Sequence, residues 1–168
     1  ACAGDIGVLI LAHGGSEQWN RQVIEAVEQA RLEHPTEIAF GKGMHADEVE
    51  RLQQAVRHLE ALGIDRIVAV PLLVSSASEV MRQYQYLLGL RDHGPWEEHA
   101  QPLTLHVPIT LTSPLDDDPV VADILLERAM ELSQAPADET VILVAHGPTS
   151  EEDNARWLEV MARLGERI

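Results

Sequence analysis

The chain has 168 residues, enough for one compact domain, and 45% of them are hydrophobic, with no apolar run near the ~20 that a membrane span requires. Its formal charge of −16, from 28 acidic against 12 basic residues, excludes recognition of nucleic acid through a basic footprint and suits cations better. Cys2 is the single cysteine, so neither an intramolecular disulfide nor a thiolate cluster is available, and any metal must take imidazole and carboxylate ligands. The opening Ala1-Cys2-Ala3-Gly4 carries no initiator Met and no hydrophobic signal core. The compartment stays open: cytoplasmic by default, exported if this terminus is processed.

Residues 6 to 12 form a continuous apolar run ending in His-Gly-Gly, the pattern of a parallel strand buried on both faces. Ser16 then caps a helix on which Trp19, Val23, Ala26, Val27 and Ala30 recur at helical spacing, with Pro35 beyond its end. Glu37 to Phe40 reads as a short second strand. A second helix carries Val49, Leu52, Val56, Leu59 and Leu62 as its stripe and Gly63 as C-terminal cap. "RIVAVPLLV", Arg66 to Val74, is a third strand that ends in Ser75-Ser76-Ala77-Ser78-Glu79. A third helix runs from there to Leu90, followed by a polar loop. Leu103 to Thr110 reads as a fourth strand, Asp118-Pro119 opens a helix to about Ser133, and Pro136 breaks it. Thr140 to Ala145 is the expected fifth strand, and Ser150 with Asp153 opens a last helix bearing Trp157, Leu158, Met161 and Leu164. Five alternations of strand and helix predict an α/β domain with a mostly parallel sheet. Its functional crevice should lie at the strand C-termini.

The first and fifth of these strands end alike. Val8-Leu9-Ile10-Leu11-Ala12-His13-Gly14 aligns with Val141-Ile142-Leu143-Val144-Ala145-His146-Gly147 at a constant offset of 133 positions, and one inserted residue brings Asn20 onto Asn154. That is a domain-scale repeat whose second copy stops after one strand and one helix. A histidine at a strand end projects an imidazole that binds a metal or accepts a proton near neutral pH, and the glycine after it frees the backbone to turn. The bland alternative is a ring bonded to a loop carbonyl. Phosphoryl transfer on a nucleophilic histidine would need a neighbouring arginine, but residue 12 is Ala and Arg21 lies on the helix. No Gly-x-Ser-x-Gly elbow, P-loop or dinucleotide fingerprint occurs.

"VLILAHGGS", followed by helix, strand, helix and "IVAVPLLVSSASEV", resembles the CbiX/SirB family of class II chelatases, the sirohydrochlorin cobalto- and ferrochelatases. The likeness spans roughly residues 5 to 130 and implies a doubly wound three-layer α/β sandwich over 1–134. "TVILVAHGPTSEEDNARW" is similar to the start of the second half in longer, two-domain members, so 135–168 is expected to be a strand and helix of that kind. The resemblance implies insertion of a divalent metal, cobalt, iron or nickel, into a tetrapyrrole, with the metal as substrate and no organic cofactor. The half-completed repeat and the small domain suggest a homodimer or membership of a longer two-domain chain, since two copies could form the crevice that a two-domain chain makes alone.

In that family the first-strand histidine is a metal ligand and proton acceptor, a role the resemblance carries to His13. A second histidine follows the "PLL" strand, and this chain has none there. Matching from Pro71 without gaps puts Glu79 in its place and leaves a His13/Glu79 pair similar to that of the protoporphyrin ferrochelatases. A register two residues shorter puts Ala77 there and favours a non-catalytic metal or tetrapyrrole carrier. Insertion requires removing two pyrrole N–H protons and stripping water from the ion, so an open, weak site of imidazole and carboxylate suits it. His45 reads either as a solvated loop residue or as a further ligand, and His146 as a ligand through its place in the repeat. His106 reads as a satisfied core or edge residue. Since the substrate is rich in carboxylates, Lys42, Arg82 and Arg91 are candidate local cations, and Ser75, Ser76 and the N–H groups of the third helix candidate anchors for an acidic arm.

Overall fold

The structure, a computed structural model, describes residues 5–41 and 45–168; Cys2 and Lys42 lie outside the described residues. Among those described, the chain forms a four-stranded, all-parallel sheet in the order β2-β1-β3-β4. Its strands are β1 (Ile6–His13), β2 (Thr36–Gly41), β3 (Arg66–Leu72) and β4 (Ile109–Leu111), and the first three helices are α1 (Glu17–Ala30), α2 (Ala46–Ala61) and α3 (Glu79–Leu87). The expected α/β class with a parallel sheet is what forms. Strand β1 pairs with β2 from Val8↔Thr36 to His13↔Gly41 and with β3 from Ile6↔Arg66 to Ala12↔Leu72. Strand β1 has a paired neighbour at each edge, and with helices covering both faces of a parallel sheet Val8 to Ala12 are all buried, as the unbroken apolar run requires.

From β1 the chain steps to one edge for β2, then crosses back over β1 to β3. With right-handed crossovers that reversal puts α1 on one face and α2 and α3 on the other, giving three layers. Leu9, Leu11, Ala39, Ile67 and Ala69 face Leu52, Val56 and Leu59 of α2 and Met81, Tyr84 and Leu87 of α3 in one core. Gly63, just past the end of α2, has φ +77, the left-handed conformation expected of its cap. The predicted stripe of α1 is only partly used: Val23 and Val27 are half-buried, and no residue of the helix is fully buried. The third strand and third helix are shorter than expected, ending at Leu72 and Leu87.

The fourth strand is three residues, not the eight from Leu103 to Thr110. Leu103, Leu105 and Val107 do pack on the core in alternation, but side chains of α2 take the backbone groups that a ladder would use. Buried Gln53 donates from its amide to Thr104 O at 3.0 Å and accepts from Thr104 N–H at 2.8 Å. Glu60 accepts from the His106 N–H at 2.6 Å. His106 therefore stands outside the strand, exposed, with Nδ1 2.9 Å from Glu60 Oε2. Burial raises the Glu60 carboxyl, the His106 backbone and ring bonds outweigh it, and the net pKa lies below the usual carboxylate value. A depressed folded-state pKa means stability present above the unfolded-state value, about 4.3, and lost as pH falls through the folded one. Glu60→Gln is thus expected to lower the unfolding midpoint at pH 7, and in thermal melts its gap from the parent should narrow as the pH falls below the unfolded-state carboxylate value.

The chain divides into two compact units, one comprising residues to Leu73 with Glu79–Pro114, the other Val74–Ser78 with Leu115–Ile168. The second contains α4 (Pro119–Leu132) and α5 (Glu151–Arg167), packed through Ala122, Trp157, Val160 and Leu164. Its caps are the predicted ones: Asp118 accepts from Val120 N–H, and Ser150 from Asp153 N–H. The expected fifth strand does not form. Val141 and Leu143 line a cavity of about 650 Å³ with Leu126, Met130 and Ile168, whereas Ile142 and Val144 are 79% and 87% exposed. Apolar alternation survives, but a strand needs a hydrogen-bonded neighbour, and residues 140–145 have none among the described residues. No helix among the described residues is long and apolar enough to cross a membrane.

Candidate active site at the end of the central strand

Strand order reverses between β1 and β3, and in open parallel sheets ligands bind outside the strand C-termini at that reversal. His13 is the last residue of β1 and is exposed at that place, although Leu11 and Ala12 before it are buried. Its Nδ1 lies 2.9 Å from Gly14 O. A carbonyl only accepts, so Nδ1 carries the proton, and the neutral ring keeps its lone pair on Nε2. The bond to a loop carbonyl and the capacity to bind a metal or take a proton are therefore compatible: the first fixes the tautomer that the second needs.

Three neighbours hold the turn after His13. Gly14 N–H donates to Gly41 O at 3.3 Å, Gly15 N–H to Asn20 Oδ1 at 2.9 Å, and the Trp19 indole N–H to His13 O at 3.0 Å. Trp19 and Asn20 were expected only as a helical stripe and a repeat match, and their role as clamps was missed. The coincidence of Asn20 with Asn154 in the repeat was the one available signal. Gly14 does not need glycine's freedom, since its φ is not positive and a Cβ there would meet nothing nearer than 3.5 Å. Gly15 is the constrained position: a Cβ would lie 2.8 Å from Trp19 Cδ1 and 2.9 Å from Cγ. Gly15→Ala should push the indole off the His13 carbonyl and cost about 1 kcal/mol, the worth of the bond lost, with Trp19→Phe costing the same in urea unfolding. Agreement of the two values identifies the bond as the cause.

The other candidates are dispersed. Glu79 opens α3, and its Oε1 accepts from the indole N–H of buried Trp96 at 3.3 Å; no hydrogen bond joins it to His13. Ala77 is buried. Ser75 Oγ accepts from Ala77 N–H at 3.0 Å, and Ser76 N–H donates to Asp116 Oδ1 at 2.8 Å, so both amides of that turn are already engaged and the exposed Ser76 hydroxyl is what remains. Arg82 lies half-buried on α3, and Arg91 donates to His93 O at 3.3 Å. His45 is exposed at the N-cap of α2, where its side chain makes no capping bond. His146 is exposed in the second unit, its Nδ1 3.5 Å from Gly147 O, a looser version of the His13 arrangement. Among the described residues, no three His, Cys, Asp or Glu side chains converge as a metal-holding group.

A family model described as CbiX matches residues 7–132, from β1 through α4. Among curated relatives, a protein named sirohydrochlorin cobaltochelatase from Methanococcoides burtonii is 23% identical over 130 residues, covering 76% of this chain and 96% of its own length. Proteins of the same name from Methanosarcina barkeri and Saccharolobus solfataricus are 22% and 28% identical over 126 and 127 residues. Each match covers 75% of this chain and, respectively, 95% and 94% of the relative. The region matched to the family model holds His13 at its strand end together with the turn that fixes the ring. The chain belongs to the CbiX family of class II chelatases.

Proposed function

We propose that this protein inserts a divalent ion, cobalt first and iron or nickel as alternatives, into a tetrapyrrole such as sirohydrochlorin. The observation that carries the reading is the exposed His13 ring at the strand reversal, with its tautomer fixed so that Nε2 holds the lone pair. Nε2 binds the incoming ion loosely and, once the ion has passed to the macrocycle, its freed lone pair takes up one pyrrole proton while the other leaves to water. The balanced change is exchange of two N–H protons for one M²⁺. Glu79 adds a carboxylate for charge balance and His45 is a further ligand; His146 is the corresponding candidate ligand within the second unit. Arg82 holds an acidic arm of the macrocycle, against the repulsion of a chain of net −16, and in the second unit the exposed Ser76 hydroxyl remains for such an arm, the Ser75 hydroxyl being engaged by Ala77 N–H. Residues 1–134 are the chelatase-like domain, and 135–168, with their own His-Gly turn, are a unit similar to the start of a second such half. Absorbance of sirohydrochlorin mixed with Co²⁺ tests this: insertion faster than the protein-free rate is expected, and a rate equal to it rejects the reading.

One observation favours a second reading. Glu79 is engaged by Trp96 and Ala77 is buried, which leaves the segment after β3 without a side chain committed to metal and suits a non-catalytic metal or tetrapyrrole carrier. In the same assay a carrier gives a stable spectral shift with the macrocycle and no insertion.

A further inference from the structure

Tyr84, on α3, is 6% exposed, and its hydroxyl has no hydrogen-bond partner among the described residues. Buried hydroxyls are almost always satisfied, and one left alone is costly. This one points at the C-terminal end of β2: a Cβ on Gly41 would lie 3.2 Å from the Tyr84 hydroxyl and 3.7 Å from Glu48 Oε2. Tyr84 and Glu48, with Ala39, Gly41, Val49 and Leu87, line a cavity of about 10 Å³, close to the space one water occupies. Burial and then the Glu48 charge raise the phenol pKa, so Tyr84 remains a neutral O–H donor beside a carboxylate acceptor. The apolar remainder of the lining suits no divalent ion, which would take six or more oxygens.

We propose that one water molecule occupies this cavity, accepting from the Tyr84 hydroxyl and donating to the Glu48 carboxylate, and that it pins the end of β2 so that Tyr84 is a positioning residue for His13. The route is short. Gly41 is the register partner of His13, and its carbonyl accepts the N–H of Gly14, whose own carbonyl holds the His13 ring. Movement of Gly41 into an unfilled cavity would therefore tilt the imidazole. The positioning half rests on His13 acting in metal insertion, and the water itself does not.

The test uses the whole chain and two variants. Tyr84→Phe keeps the ring and removes the donor; Gly41→Ala puts a methyl where the water sits. A crystal structure at about 1.5 Å should show one water bonded to both groups in the parent and none in either variant. Absence of that water, a direct Tyr84 to Glu48 bond, or a metal ion in its place overturns the proposal. His13 ring carbon and nitrogen NMR signals should shift in both variants, and kcat for Co²⁺ insertion into sirohydrochlorin should fall on the order of tenfold in Tyr84→Phe, with KM unchanged. Unmoved His13 signals with unaltered kcat remove the positioning role. A parent without insertion activity rejects the chelatase reading alone, because the water and the NMR shifts are read independently of turnover.

Discussion

His13→Ala is expected to lower the rate of metal insertion by about 10²–10⁴-fold, the range in which loss of a positioned acid or base is felt. The reasoning runs through the ring nitrogens. Nδ1 donates to the Gly14 carbonyl, so on the proposed reading Nε2 is the nitrogen left to accept a proton from the macrocycle. His13→Asn is the informative companion, since its amide N–H still reaches toward the loop carbonyl but offers no lone pair of comparable basicity. Both variants should lose insertion while keeping the parent's unfolding midpoint, because the parent ring is exposed and its removal leaves no cavity. His45→Ala should lower the rate less than His13→Ala, because on the proposed reading His45, which makes no capping bond at the α2 N-cap, is only a further ligand and not the proton acceptor. If His13→Ala inserts cobalt at the parent's rate, the role assigned to this ring is wrong.

What the sequence makes legible here is whatever depends on local pattern. The apolar run before His13, the caps at Ser16, Asp118 and Ser150, and the left-handed Gly63 each follow from a few neighbouring residues, and each forms as expected. What failed depends on partners distant in the chain. Residues 103–110 alternate as a strand does, yet Gln53 and Glu60 capture their backbone groups from a helix some fifty residues away. Residues 140–145 repeat the composition of β1, but composition supplies no neighbouring strand. The same limit governs the site. A histidine at a strand end is visible in one line of sequence, whereas Glu79 reaching Trp96, or Tyr84 meeting Glu48 over Gly41, is a matter of packing between α3 and other segments.

Leu11→Ala should carry the largest stability effect. Leu11 is wholly buried in the central strand, two residues before His13, on the face covered by α2 and α3. A strand paired on both sides cannot collapse onto the space left, so the loss should fall in the range of about 2.7–5 kcal/mol found where buried leucines are truncated and cavities persist. At about 3 kcal/mol the unfolding midpoint of a chain this size drops by roughly 6–12 °C. The contrasting substitution is Val144→Ala, at the residue the repeat sets against Leu11, which is 87% exposed. It should cost under about 0.5 kcal/mol, because it removes little buried surface. Thermal unfolding of the two variants side by side then separates shared sequence from shared environment. Equal losses would mean that residues 140–145 are packed in solution as β1 is, and the fold described for the second unit would have to be redrawn.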